Sequence, residues 1–386
     1  MNVETFRDEA ARWLAVNAPT APRNYGPIMP PDLLAEGKAW QGRLFEAGFA
    51  AIDWPVDHGG RGLSPEHNAA WLEACAHADV PPVLNMVGLV LTAKAILSFG
   101  TTDQQRQHLV PTARGDVVWC QLFSEPGSGS DLGSLSTRAV RDGDEFVVNG
   151  QKVWTSGGRC SDWGILLART DIDAPKHRGI SFLLLDMHTP GIEVRPLRQM
   201  TGESEFDEVF FTDVRVPATN LVGDLNGGWG VTMATLTNER GFIGAATVGL
   251  ARRLDAMAVA GPLDNGVRRD AMIDLYATGR ALVALGGRQG PQASAASSLL
   301  KLGMTELSFA TAMERATATG PEAMLAGEVA HGVCAAPGSR MGGGTSEIQR
   351  NIIGELILGL PKEPKPADRA DAVTGRDAPN AGQLEP

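Results

Sequence analysis

Three short segments bring together the residue types that could bind a polar ligand closely. The first is Ser124-Glu125-Pro126-Gly127-Ser128-Gly129-Ser130-Asp131. Its glycines let backbone approach a ligand, and its hydroxyls and carboxylates supply hydrogen-bonding partners; a plain Gly/Ser turn has the same composition. The second is Gly150-Gln151-Lys152-Val153-Trp154-Thr155-Ser156-Gly157, a large aromatic beside two hydroxyls. It reads either as a ligand-facing edge or as a core Trp ending a strand. The third is Gly342-Gly343-Gly344-Thr345-Ser346-Glu347-Ile348-Gln349-Arg350-Asn351. A glycine-rich approach to a helix N-terminus suits an anion or a polar cofactor, or simply caps the helix. Ser346 and Gln349 have the spacing of a capping box. No Gly-Lys-Ser/Thr follows, so it is not a Walker loop. A fourth candidate is Glu239, whose helical neighbours at i−3, i+3 and i+4 are Leu236, Phe242 and Ile243. A carboxylate on such a face is desolvated, which raises its pKa toward the range of a general base. A solvated or Arg240-paired glutamate is the other reading.

The elements that must position these residues follow from periodicity. Val3, Phe6, Ala10, Trp13 and Leu14 recur at helical spacing. Further helices are expected over Leu33–Ala47 and Pro65–Ala78, in the buried apolar run Val87–Ser98, and over Thr102–Leu109, ending before Pro111. Val117–Phe123 reads as a buried strand. Arg138–Arg141 and Glu145–Val148 read as a hairpin turning at Gly143. Trp163–Ala168, Ile180–Leu185, Ile192–Leu197 and Glu208–Phe211 continue the strands toward a small barrel or sandwich. Helical patterns return after Gly228 and run to about Leu360, and a Pro- and Asp-rich tail follows. The expected division is 1–115 helical, 116–226 β, 227–361 helical and 362–386 a disordered tail, in an α+β class.

Composition sets outer bounds. The 386 residues exceed one typical core, and 43% hydrophobic with 20% charged residues is ordinary for a globular protein. A net charge of −11 argues against nucleic acid as the main partner. The four cysteines, Cys75, Cys120, Cys160 and Cys334, form no C-x-x-C pair, so reduced thiols and no metal site are expected. Neither a signal peptide nor a membrane-spanning run is apparent, and a cytoplasmic location is expected.

Taken in order, the three segments resemble the acyl-CoA dehydrogenase family. The resemblance extends over about 1–361 and includes Trp54-Pro55 with Gly59-Gly60-Arg61-Gly62, Gly179-Ile180-Ser181-Phe182, Val214-Arg215-Val216-Pro217 and Asn238-Glu239-Arg240. It implies an N-terminal helical domain, a middle β-barrel domain and a C-terminal four-helix bundle, with FAD between the last two. It also implies α,β-dehydrogenation of an acyl-CoA, with electrons passing to an electron-transferring flavoprotein. An oxidase-like relative and a weakly catalytic partner subunit are the alternatives. By motif match, Gln121, Phe123, Ser124 and Ser130 would line the flavin, and Trp154, Thr155 and Ser156 would pack on its ring. Thr345, Ser346 and Glu347 would meet it from the bundle. Ser130, Arg240 and Gly344 would contact substrate.

Many relatives place the base where this chain has Gly343; a minority carry it on a bundle helix before an arginine, which matches Glu239-Arg240. Glu347 is the runner-up base. Gly343 is then expected to contribute its backbone N–H to the thioester oxygen, and Arg240 to support base or substrate. The chain lacks the Arg-x-x-Phe-Gly and Gly-Gly-x-Gly-Tyr elements that reach a neighbouring subunit's FAD. A homo-oligomer or a mixed oligomer with a second family member is therefore expected. The Ala- and Leu-rich stretches 243–260 and 294–316 offer apolar helix surface for it.

Overall fold

The computed structural model describes residues 1–23, 31–236, 254–255, 265–286 and 293–362. The N-terminal part is helical: α1 (Val3–Asn17), α2 (Leu34–Glu46), α3 (Pro65–Ala78), a π-helical stretch Val87–Thr92 running into α4 (Ala93–Phe99), and α5 (Thr102–Arg114). Phe6, Ala10 and Leu14 lie one turn apart on α1 and are buried against Trp40, Leu44, Phe49 and Trp71. Phe49 and Trp71 stack with centroids 4.4 Å apart. Helix α5 does not stop before Pro111 but continues to Arg114. Pro111 falls in the last turn, Thr112 Oγ1 donates to His108 O at 2.6 Å, and Gly115 closes the helix at φ 85°.

The middle part is a sheet of β1 (Trp119–Leu122), β2 (Arg138–Asp142), β3 (Glu145–Ser156), β4 (Trp163–Arg169), β5 (Ile180–Asp186), β6 (Ile192–Leu197), β7 (Phe206–Pro217) and β8 (Leu221–Val222). Their order is β6-β7-β3-β2-β4-β5-β8, with β1 added on β4. Strands β3 and β7 are longer than their hydrophobic runs indicate, and β8 is too short to leave a pattern. The halves meet through one parallel pair, Arg138 with Arg169. Phe146, Val148, Val209 and Val214 from one half share a core with Cys120, Leu122, Leu166 and Leu183 from the other. The alternate residues Trp119, Phe123, Ile165, Leu167, Phe182 and Leu184 face a second core. That core also takes Trp54, Ile96 and Leu109 from the N-terminal helices.

The C-terminal part is helical again. Helix α6 is described over 228–236, and its Trp229, Val231 and Leu236 join the same shared core. Then come α7 (Gly266–Gly286), α8 (Ala293–Thr319), α9 (Glu328–Ser339) and α10 (Ser346–Ile352), which runs into a π-helical end, Ile353–Ile357. Leu254, Leu282, Leu300 and Leu307 form a small core between α7 and α8. All but the first residue of the expected tail 362–386, and most of stretch 243–260, lie outside the described residues. The four cysteines are free. No helix among the described residues is long and apolar enough to cross a membrane.

Candidate active site

The loop 123–137 is held by a charge that the sequence reading passed over. Glu125 is 6% exposed and accepts from Ser136 N at 2.7 Å, Ser136 Oγ at 2.8 Å and Thr137 N at 2.9 Å. Lys152, fully buried on β3, donates to Glu125 at 2.8 Å and to Phe123 O at 2.9 Å. Burial opposes the Glu125 charge, but the Lys152 ammonium with Thr137 and Ser136 outweighs it and holds the carboxyl down at about 2. Burial pushes Lys152 down to about 8, against the pull of Glu125. Val153 N donates to Ser124 O at 2.9 Å, which completes the seam between the first two motifs. Phe123 and Ser124 are thereby brought against Lys152 and Val153, next to Trp154, whereas Gln121 pairs with Ile165 on β4. Ser130 lies farther along the same loop and is exposed. Side chains added at Gly127 or Gly129 would meet nothing within 4 Å, so the outer face of the loop is open.

The strand pairing of β3 with β7 slips between Lys152 and Thr155, a bulge two residues before the strand ends. Trp154 sits in that bulge at φ 60°, a conformation that costs a bulky residue about 1–2 kcal/mol. It is nevertheless 59% exposed, touching Phe206 edge-on at 6.0 Å. Trp154 is therefore not a core residue, although it does lie two positions before the end of the strand. Beside it, Thr155 is fully buried and its Oγ1 has no hydrogen-bond partner among the described residues. Its cross-strand neighbour Asp207 is fully buried as well, accepts from Arg159 N at 3.0 Å, and its carboxyl is raised by burial. Trp154→Gly should keep or raise thermal stability, by up to about 1 kcal/mol, because the left-handed backbone suits glycine. The same variant should retain less of the flavin that the resemblance implies. Melting and visible absorbance on one preparation test this, and a destabilised variant with undiminished cofactor would count against it.

The third motif lies at the start of α10. Gly343 and Gly344 adopt φ 65° and 88°, open only to residues without a side chain penalty there. The N-cap is Thr345, whose hydroxyl accepts from Ile348 N at 3.2 Å. The capping box anticipated from Ser346 and Gln349 does not form. Ser346 is the first helical residue and is buried, and its Oγ donates to Glu306 at 2.7 Å. The Gln349 side chain turns back to Gly343 O at 3.0 Å, leaving its buried Oε1 without a partner among the described residues. Glu347 points outward, its side chain 75% exposed and 3.6 Å from Arg350.

The β side and the helical side touch near the Trp154 bulge. Gly157 N donates to Glu205 O at 3.1 Å, and two residues earlier Glu203 meets His331 of α9 at 2.9 Å. Glu239 and Arg240 lie outside the described residues. The last described residues of α6 lead toward them, with Leu236 packed on the core it shares with the sheet. The open loop face, the exposed indole, and beside it Thr155 Oγ1 and Asp207 Oδ1, without a hydrogen bond among the described residues, are compatible with a large planar group with polar edges.

Three family models match: the acyl-CoA dehydrogenase N-terminal domain over residues 3–116, the middle domain over 120–214 and the C-terminal domain over 273–358. The chain is 37% identical to acyl-CoA dehydrogenase IpdE1 of Mycobacterium tuberculosis, covering 94% of this chain and 99% of that one. Among solved structures it is similar to the ChsE4-ChsE5 complex from Mycobacterium tuberculosis, at TM-score 0.78 and 30% identity, covering 94% of this chain and 98% of that one. It is also similar to the Tcur3481-Tcur3483 steroid ACAD, at TM-score 0.78 and 27% identity, with the same coverage of both chains.

Proposed function

The chain belongs to the acyl-CoA dehydrogenase family, and from that premise we propose that it oxidises the Cα–Cβ bond of a bulky acyl-CoA with FAD and passes the electrons to an electron-transferring flavoprotein. The observation that carries the cofactor assignment is the Trp154 bulge: an exposed aromatic on strained backbone, beside a buried hydroxyl with no partner among the described residues. FAD, when bound, supplies the acceptor for the β-hydride. The chain's residues do the rest. Glu239 takes the proton from Cα, and Arg240 supports the base or the substrate. The Gly343 backbone N–H donates to the thioester oxygen, where charge accumulates as the proton leaves. Gln121, Phe123, Ser124, Trp154, Thr155 and Ser156 form the cofactor wall on the β side, and Thr345, Ser346 and Glu347 the wall on the helical side. Ser130 lines the flavin as well and lies near the CoA arm, and Gly344 contacts the substrate. The functional division follows 1–115, 116–226 and 227–361.

A bulky substrate is supported by two lines. A base on a bundle helix, with glycine at the position other relatives use, leaves room near Cα. The similar solved proteins include one described as a steroid ACAD. Two of the similar structures are also named by pairs of chains. Together with the missing Arg-x-x-Phe-Gly and Gly-Gly-x-Gly-Tyr elements, this favours a working unit that is a mixed oligomer with a second family member.

The test is the absorbance spectrum. The chain should be yellow when purified with its partner and should bleach without oxygen under a CoA thioester carrying a ring-bearing acyl group. A preparation that stays colourless with its partner present, and cannot be reconstituted with FAD, sinks the flavoenzyme reading. A yellow preparation that bleaches only with short linear acyl-CoAs sinks the bulky-substrate part alone.

A further inference from the structure

The loop Arg340–Ser346 holds three consecutive glycines, the backbone most costly to keep in one conformation. Its two ends are nonetheless fastened together. Ser346 N donates to Arg340 O at 3.2 Å, so the chain closes on itself around Met341–Thr345. Lys301, 3% exposed on α8, donates to the same Arg340 O at 3.4 Å. One carboxylate oxygen then gathers the side chains. Glu306 Oε1, one and a half turns farther along α8, accepts from Ser346 Oγ at 2.7 Å and from Arg340 through Nε at 3.1 Å and Nη2 at 3.0 Å. Arg350, one turn into α10, comes within 3.7 Å of the same oxygen. Arg340 is fixed from the other side by lying over the Phe309 ring at 5.0 Å. Position 306 therefore ties the residue before the glycines, the residue after them and the first turn of α10 to a single point on a long helix. Nothing else among the described residues holds both ends of the loop by side chains.

We infer that Glu306 is a positioning residue: by binding Arg340 and Ser346 at once, it sets where the Gly343 and Gly344 backbone faces the thioester. The inference rests on the reading that this loop meets the substrate. Glu306 touches neither cofactor nor substrate itself; its effect travels through the two side chains it holds. Its carboxyl is kept below the ordinary glutamate range, chiefly by the Ser346 hydroxyl with Arg340 and Arg350 adding to it, so the anchor stays charged at neutral pH. The three cations Lys301, Arg340 and Arg350 crowd one end of the loop. Losing Glu306 would both free the glycines and leave the arginines to separate.

The experiment uses the assembled holoenzyme, with Glu306→Ala, Glu306→Gln and Ser346→Ala, and reads amide hydrogen exchange over 340–346 together with kcat and KM. Glu306→Ala should speed exchange of Met341–Thr345 by at least about tenfold, the size expected for losing charge-assisted hydrogen bonds. It should lower kcat by a similar factor while KM moves much less, because the loop acts as charge develops and not in ground-state binding. Glu306→Gln keeps an acceptor for Ser346 and should restore most of both. Ser346→Ala, the milder cut, should move exchange and kcat the same way by less, and supplies the test should Glu306→Ala not assemble. Unchanged exchange in these variants overturns the inference, as does a loss spread equally over melting temperature, KM and kcat. A non-reacting CoA thioester added to the unsubstituted enzyme separates the two claims. If it fails to protect Gly343 and Gly344 while the variants still speed exchange, the anchor stands and the assignment of the loop to the thioester falls.

Discussion

Glu239→Gln is expected to slow substrate-driven flavin reduction by roughly two to four orders of magnitude while leaving cofactor and acyl-CoA binding in place. The α-proton of a thioester is removed only by a base within hydrogen-bond reach, and the position used by most relatives is Gly343, which has no side chain. Glu239 follows Leu236 by three residues, and Leu236 packs into the core between α6 and the sheet. The helical spacing of Leu236, Phe242 and Ile243 around position 239 is the sequence pattern of a carboxylate on an apolar face, a setting that would raise its proton affinity toward the working range. Glutamine keeps the shape and the hydrogen bonds but cannot take the proton. Stopped-flow bleaching without oxygen is the measurement. A parental rate with a confirmed good substrate would sink the assignment and move attention to Glu347, even though that side chain is exposed and near Arg350.

Removal of Glu125 should have the largest effect on stability. Glu125→Ala leaves the Lys152 ammonium buried on β3 with only the Phe123 carbonyl for company. Breaking one side of a buried pair costs about 3–5 kcal/mol, since the remaining charge has lost its partner but not its burial. The loop 123–137 also loses three hydrogen bonds to its own backbone and hydroxyl, so flavin retention should fall with stability. Denaturant midpoints and cofactor content measure both. A variant as stable as the parent would refute the role given to the pair. The pH dependence has a definite sign. Glu125 has a folded pKa of about 2, below its ordinary 4.5, so its contribution is complete above about 4.5 and is lost as pH falls from there toward 2. The parent should therefore lose stability through that window, and Glu125→Ala should lose less.

Local rules made the elements legible and left the contacts between them dark. The periodicity of Phe6, Ala10 and Leu14 found α1, and the apolar runs at 163–168, 180–185 and 192–197 found β4 to β6 almost to the residue. Helix α5 ran past Pro111 because a proline so near the end forfeits a single backbone bond, and Gly115 closes the helix one turn later on the carbonyls of Pro111 and Thr112. The first two glycine-containing segments are side by side. What joins them is a pair 27 residues apart, Glu125 with Lys152, and no period in the sequence encodes it. Glu306 escaped notice for the same reason, being 40 residues from the serine it holds. The cap was misassigned because Thr345 and Ser346 are both capable N-caps, and only the carboxylate of Glu306 decides which one turns inward.

The core that takes Trp54 and Ile96 from the first helices, Phe123 and Phe182 from the sheet and Val231 from α6 has a consequence for anyone cutting the chain into pieces. The segments look like modules along the sequence, yet none of them owns that core. A fragment ending near 115 would turn the indole of Trp54 and the side chain of Leu109 toward water, and one beginning there would bare Phe123 and Ile165. Each fully exposed apolar side chain of that size forfeits about 1.5–3 kcal/mol, against a total stability of about 5–15 kcal/mol. Separately expressed pieces should be sticky and ill-structured, and limited proteolysis of the whole protein should spare the 115 boundary.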